Sequence, residues 1–237
     1  MKEEYDIRVS KHYSAFRPPL HEMIVESLLS ADETFDQGLD VGCGTGYSAK
    51  VLSSYCSHVF GIDPSQSMLD KATPLERVIY TKGAGEKIPI AEDSVDIITF
   101  AGSLYYIRSS ALISELKRVS RGNAVVLVYD FEVLLDSVMN SYKVESSQLE
   151  SEYDHEVNFS NCDAFIESRG GNETISLDVS AESLSHILLS SIDRYDFFAK
   201  HFNTVNPFIS LSKELHARSS VHALEANTFF SRYHIAS

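Results

Sequence analysis

Cysteine is scarce. The 237 residues contain three, Cys43, Cys56 and Cys162, too few and too scattered for a disulfide framework or a zinc ribbon. Long apolar runs are lacking as well. The longest clear one, Ala124 to Tyr129, falls well short of the roughly 18 residues a membrane span needs. The first ten residues, MKEEYDIRVS, are charged and lack the apolar stretch of a secretory leader. Positive charge is in deficit, with 20 Lys and Arg against 34 Asp and Glu, a net charge of −14. An acidic chain repels phosphate backbones, which disfavours a nucleic-acid partner. No histidine spacing of the HExxH kind is present, so no metal site is expected. These absences lead to the expectation of a soluble cytoplasmic protein without a membrane, nucleic-acid or metal partner.

What is present is ordinary globular material, 43% hydrophobic and 23% charged. At about 150 residues per domain, the length suits one domain or a little more. The acids are concentrated: from Asp130 to Asp178 there are 12 against only Lys143 and Arg169. The first half alternates. A helical pattern opens at Pro18 and Pro19 and places Leu20, Met23, Ile24 and Leu28 on one face. Short apolar strands are read at Gly38–Gly42, Val59–Ile62, Arg77–Thr81, Val95–Phe100 and Val125–Tyr129, with helices between them at Gly46–Tyr55, after Asp63-Pro64-Ser65, and at Ala111–Val119. Continuously apolar strands alternating with helices indicate a parallel sheet covered on both faces. Residues 132–172 are polar and weakly periodic. Beyond them a strand is read at Ile175–Val179, helices at Ser180–Ser191, Asp193–Phe202 and Leu211–Leu224, and a final strand at Phe229–Ile235.

The sharpest feature is Leu39-Asp40-Val41-Gly42-Cys43-Gly44-Thr45-Gly46, at a strand end opening a helix. Alternating glycines allow positive φ and remove Cβ atoms where a ligand must touch backbone. Asp63 ends the next strand, 21 residues after Gly42. In a nucleotide-binding α/β unit that position takes the ribose hydroxyls. The same aspartate could instead cap the helix that follows.

The blocks LDVGCGTGYSA, GIDPSQSMLDKA and GAGEKIPIAEDSVDIITF resemble, in order and spacing, the class I S-adenosylmethionine-dependent methyltransferases. The likeness is to the small-molecule branch with the ubiquinone/menaquinone-type and trans-aconitate-type enzymes, over about residues 12–131. It implies a Rossmann-like open twisted sheet, mostly parallel, with helices on both faces, an antiparallel last strand and a helical lid inserted after the fifth strand. The implied organisation is a single domain, with a cofactor core at about 12–131, a lid at about 132–225 and the last strand at about 226–236. S-adenosylmethionine is the implied cofactor. Asp40 would face its amino-acid end, and Gly42, Gly44 and Gly46 would line the methionine and ribose. Asp63 would hold the ribose diol, with Pro64 and Met68 near the adenine. Ala84 and Gly85 would reach the adenine edge, and Ala101 would sit beside the methionine. The family usually has a polar residue where Ala84 stands, a place Glu86 could take. Upstream, His12-Tyr13-Ser14-Ala15-Phe16-Arg17-Pro18 resembles a Tyr-x-x-x-Arg-Pro segment that folds over the cofactor, Tyr13 and Arg17 meeting its carboxylate.

Methyl transfer from a sulfonium is an in-line displacement that asks mainly for alignment and exclusion of water. A general base is needed only where the acceptor must lose a proton early. No catalytic residue is obvious. Tyr105 and Tyr106, after the fourth strand, are the candidates; His155 and the other late histidines read as surface or core. Tyr195, Phe197, Phe198, Phe202 and Phe208 suit either a lid over an apolar acceptor or the core of that region. The expected acceptor is a small molecule, neutral or cationic given the acidic stretch. Two other functions compete: a methyltransferase-like protein that binds the cofactor without turnover, and a dinucleotide-dependent oxidoreductase, which would not carry the GAGEKIP block.

Overall fold

The computed structural model describes residues 7–16, 18–144 and 153–236. Seven strands form one sheet in the order β3-β2-β1-β4-β5-β7-β6. They are β1 (Phe35–Val41), β2 (Cys56–Asp63), β3 (Val78–Lys82), β4 (Val95–Ala101), β5 (Ser120–Leu134), β6 (Phe165–Ser180) and β7 (Val221–Ile235). The helices are α1 (Ile7–Ala15), α2 (Leu20–Leu28), α3 (Tyr47–Leu52), α4 (Gln66–Leu69), α5 (Leu104–Ile107), α6 (Ser110–Val119), α7 (Asp136–Ser141), α8 (Ala181–Leu188), α9 (Ile192–His201) and α10 (Phe208–Arg218). Neighbouring strands among β1 to β5 pair in parallel. β6 and β7 pair antiparallel: Ser168 bonds Arg232, Glu173 bonds Thr228, and Thr174 bonds Asn227.

The chain divides into two compact units. The first comprises Leu20–Glu132, Leu149–Glu173 and Thr228–Ser237. Its strands are apolar on both faces because both are covered. Val126 and Val128 pack with Leu39, Val41, Ile98 and Phe100 against Leu112, Leu116 and Val119 of α6. Val125, Leu127 and Tyr129 face the other way, toward Ile24, Val25 and Leu28 of α2 and Ala49 and Leu52 of α3. Arg232 caps the end of α2, donating to the Leu28 carbonyl at 2.8 Å and pairing with Glu33 at 2.6 Å. The second unit comprises Met1–Pro19, Val133–Gln148 and Thr174–Asn227. Its own core gathers Leu184, Leu188, Tyr195, Phe198, Leu211, Leu215 and Leu224, so the aromatic cluster seen in the sequence packs largely inside that unit.

Three sequence boundaries shift most. β5 runs from Ser120 to Leu134, far beyond Val125–Tyr129. β6 begins at Phe165, inside the stretch read as aperiodic; it is the sheet edge, and nearly all of its first ten residues are exposed. A strand wet on both faces leaves no binary pattern to read. The helix read over Leu211–Leu224 stops at Arg218, and Val221 onward is β7, where Leu224, Ala226 and Thr228 are buried at period two.

Candidate functional site

The β1–α3 loop, the end of β2 and the β4–α5 loop meet at the C-terminal ends of the parallel strands. Gly42, Gly44 and Gly46 all have positive φ, at 74°, 53° and 86°. Their surroundings differ. A Cβ on Gly42 would stand 2.5 Å from the Ser103 Cβ, so the β1 and β4 loops touch there. A Cβ on Gly46 would run into the hydroxyl end of the Tyr80 ring. A Cβ on Gly44 would meet nothing within 4 Å, so that backbone borders open space. Gly44 is therefore the point in the loop where a ligand can lie directly on the chain.

Asp63 closes one side. Its Oδ2 accepts from the Gly44 amide at 2.9 Å and its Oδ1 from the Ser65 amide at 2.8 Å. The carboxylate therefore does turn into its own following loop, as the capping alternative has it, while also gripping the glycine loop. Each oxygen keeps a lone pair for a further donor. The Ser65 side chain makes no capping bond to α4.

Asp40 lies fully buried at the end of β1. Its Oδ2 accepts from Ser48 at 2.5 Å and its Oδ1 from Thr99 at 2.8 Å. Burial pushes its carboxyl up to about 6, against the pull of those two hydroxyls and of the Ala49 amide. The Ala49 amide, in the first turn of α3, is thus taken by the chain's own aspartate. Ser103 adds a bond from its hydroxyl to the Val41 carbonyl at 2.5 Å, tying the β4 loop to β1. The Tyr80 hydroxyl is buried without a partner among the described residues, and burial pushes its pKa up to about 12.

The remaining positions fall around this loop. Ala84 is half-buried in a turn closed by the Lys87 amide at 3.0 Å, and Gly85 is buried, its Cα facing Leu112 and Ile107. Glu86 is exposed, as is Pro64, while Met68 and Ala101 are half-buried. Arg17 lies outside the described residues, and so does the side chain of Tyr13. Tyr105 and Tyr106 of α5 are exposed and stand against Tyr153, with ring centres 4.6 and 5.6 Å away. Sequence reasoning did not single out Ser48, Thr99, Ser103, Asp130 or Tyr153, and it read His155 as surface or core. Ser48 stood inside the glycine block. Nothing in the sequence tied Asp130, at the end of an apolar strand, to residues 153–155.

Residues 39–128 match the family described as a methyltransferase domain. A protein of Dictyostelium discoideum named as a methyltransferase is 31% identical over 127 residues, covering 53% of this chain and 48% of that one. A Saccharomyces cerevisiae protein named as an S-adenosylmethionine-dependent methyltransferase is 28% identical over 123 residues, 48% of this chain and 42% of that one. The chain spans about half the length, or less, of these curated relatives. Among solved structures, one from Anaeromyxobacter dehalogenans, described as a type II methyltransferase, superposes with TM-score 0.60 at 19% identity, covering 92% of this chain and 97% of that one. A second, from Bacillus halodurans and also described as a methyltransferase, gives 0.54 at 12% identity over 91% and 99%. The fold is that of the Rossmann-like methyltransferases.

Proposed function

We propose that the chain binds S-adenosylmethionine at the β1–α3 loop and transfers its methyl group to a small-molecule acceptor. The observation that carries this reading is the Asp63 carboxylate, fixed by the Gly44 and Ser65 amides beside the open face of Gly44. A ribose diol needs an acceptor held at that height over backbone a ligand can touch, and the residues present fit it. The matched domain, spanning residues 39–128, takes in this whole loop.

The bound cofactor supplies a methyl group on a positively charged sulfur, already activated as a leaving-group system. The chain's own work is to position and to exclude water. In this reading Asp63 orients the ribose, while Gly42, Gly44 and Gly46 let the methionine lie on the backbone. Pro64, Met68, Ala84, Gly85 and Glu86 border the adenine, and Ala101 borders the methionine. Asp40 braces the loop from beneath through Ser48 and Thr99. With no polar side chain at Ala84, adenine recognition loses about 1 kcal/mol, less where Glu86 compensates. Alignment of acceptor with methyl can by itself supply about 7–11 kcal/mol.

The acceptor in this reading is neutral or cationic, since Asp130, Glu156 and Glu167 lie in the acidic stretch from Asp130 to Asp178. The small-molecule branch rather than a nucleic-acid enzyme is favoured by the net charge of −14. The test is transfer of methyl-labelled cofactor to a metabolite extract. Label entering a small molecule is expected. Cofactor binding without any transfer would instead favour the binding-only reading.

A further inference from the structure

A second polar cluster lies within the first unit, next to the glycine loop and unused by the cofactor reading. Its centre is Asp130, near the end of β5. Asp130 Oδ1 accepts from the Phe131 amide at 2.8 Å. Its Oδ2 lies 2.7 Å from the Tyr153 hydroxyl and 2.9 Å from His155 Nδ1. The Tyr153 hydroxyl also lies 2.8 Å from the Gly102 carbonyl. Gly102 makes this packing possible. Its φ is +70°, and a Cβ there would stand 3.1 Å from Asp130 Oδ1. The neighbouring Ser103 is the residue that touches Gly42. The cluster therefore begins one residue away from the loop assigned to the cofactor.

An ionised carboxylate only accepts, so the Asp130 contact places the proton of a neutral His155 on Nδ1 and leaves Nε2 with the basic lone pair. Nε2 makes no hydrogen bond among the described residues. The ring is held in place: it stacks on Phe229 at 5.5 Å and 14°, and meets the Tyr153 edge at 4.7 Å. Tyr105 and Tyr106 extend the aromatic wall. Beside His155 opens a cavity of about 180 Å³, lined also by Phe229, Asn158 and Asn172. The lining is mixed, with Glu156, Glu167 and Ser160 beside the planar faces of Phe229 and Phe230. A half-buried orienting carboxylate, a fixed imidazole and a base nitrogen without a partner among the described residues form the arrangement of a general base and its positioning partner.

We propose that His155 is the general base of the methyl transfer, that Asp130 positions it, and that the acceptor is a planar phenol. The assignment rests on the function proposed above. A phenol needs a base because its neutral oxygen is a weak nucleophile, and its acidity is closer to imidazole's than an aliphatic alcohol's is. In the step, His155 Nε2 takes the hydroxyl proton and the O–H pair stays on oxygen. That oxygen bonds the methyl carbon, while the carbon–sulfur pair returns to the sulfonium, leaving a neutral thioether. The imidazolium so formed faces Asp130 and Tyr153, with Glu156 beside it in sequence and Glu167 from β6 on the same cavity.

The test uses the full chain with adenosylhomocysteine and 4-nitrophenol, whose phenolate is coloured. Below the probe's own ionisation, the parent complex should show bound phenolate and His155→Gln bound neutral phenol. Methyl transfer from S-adenosylmethionine to the probe should fall at least about 100-fold in His155→Gln and lose its rise with pH. Adenosylhomocysteine affinity should change less than about twofold. Asp130→Asn, similar in shape, should fall in the same direction and decides the matter where His155→Gln does not fold. Adenosylhomocysteine binding together with an uncoloured or unbound probe, or full transfer by both variants, overturns this assignment alone. Failure to bind adenosylhomocysteine overturns the proposed function and this assignment with it.

Discussion

Gly44 and Gly46 are two residues apart, share a positive φ, and serve different masters. Gly46 is required by the protein: its missing Cβ makes room for Tyr80. Gly44 has nothing within 4 Å of where a Cβ would stand, so apart from its φ it is required only by whatever lies on it. Gly46→Ala should therefore cost about 2–4 kcal/mol of stability, combining left-handed strain with overpacking. Gly44→Ala should cost about 1 kcal/mol, for the φ alone. Yet Gly44→Ala should weaken adenosylhomocysteine binding at least about tenfold. Thermal melts and calorimetric titration of both variants check this contrast. At this scale the sequence was readable where spacing carries chemistry. The glycines and Asp63 stood out because their separation matches a strand–loop–helix unit. The Asp63 grip on Gly44, the Thr99 bond to Asp40 and the Asp130–His155 pair did not, because each joins segments that only the folded sheet brings together.

Among the elements, α1 and α8 share an acid-sensitive contact. His12 Nδ1 stands 2.9 Å from His186 Nδ1, and His12 is buried against Tyr195 and Phe208. Burial, then the neighbouring His186 and Lys11, lower the His12 pKa to about 4. The folded chain therefore binds a proton less readily than the unfolded one, whose histidines titrate near the ordinary 6.5. Stability from this site is complete above about pH 6.5 and falls as pH drops toward 4, by roughly 2–3 kcal/mol. Melts of the parent and His12→Phe over that range should converge as pH falls in the parent's disfavour. A parallel pH dependence in both would contradict the assignment. Elements were most visible in sequence where two covered faces force apolar runs, as in β4, and least visible at β6, whose exposed first half carries no pattern.

For the whole molecule, a net charge of −14 sets a self-repulsion. Screening shortens its reach to about 8 Å near physiological salt. Raising sodium chloride from low to physiological concentration should therefore raise the melting temperature by a few degrees; a fall would mean that ion pairs outweigh the repulsion. Two units with separate apolar cores account for the fold, and one of them holds the loop on which the account depends. Everything said about function rests on that loop being a seat for an adenosyl group. The most direct measurement is calorimetric titration of adenosylhomocysteine into the parent chain and Asp63→Ala, with NADH as the control ligand. The account predicts saturable binding by the parent, no binding of NADH, and an affinity about 10–100-fold weaker in Asp63→Ala, the loss of charge-assisted bonds. Equal affinity in parent and variant, or no binding by the parent, would contradict it.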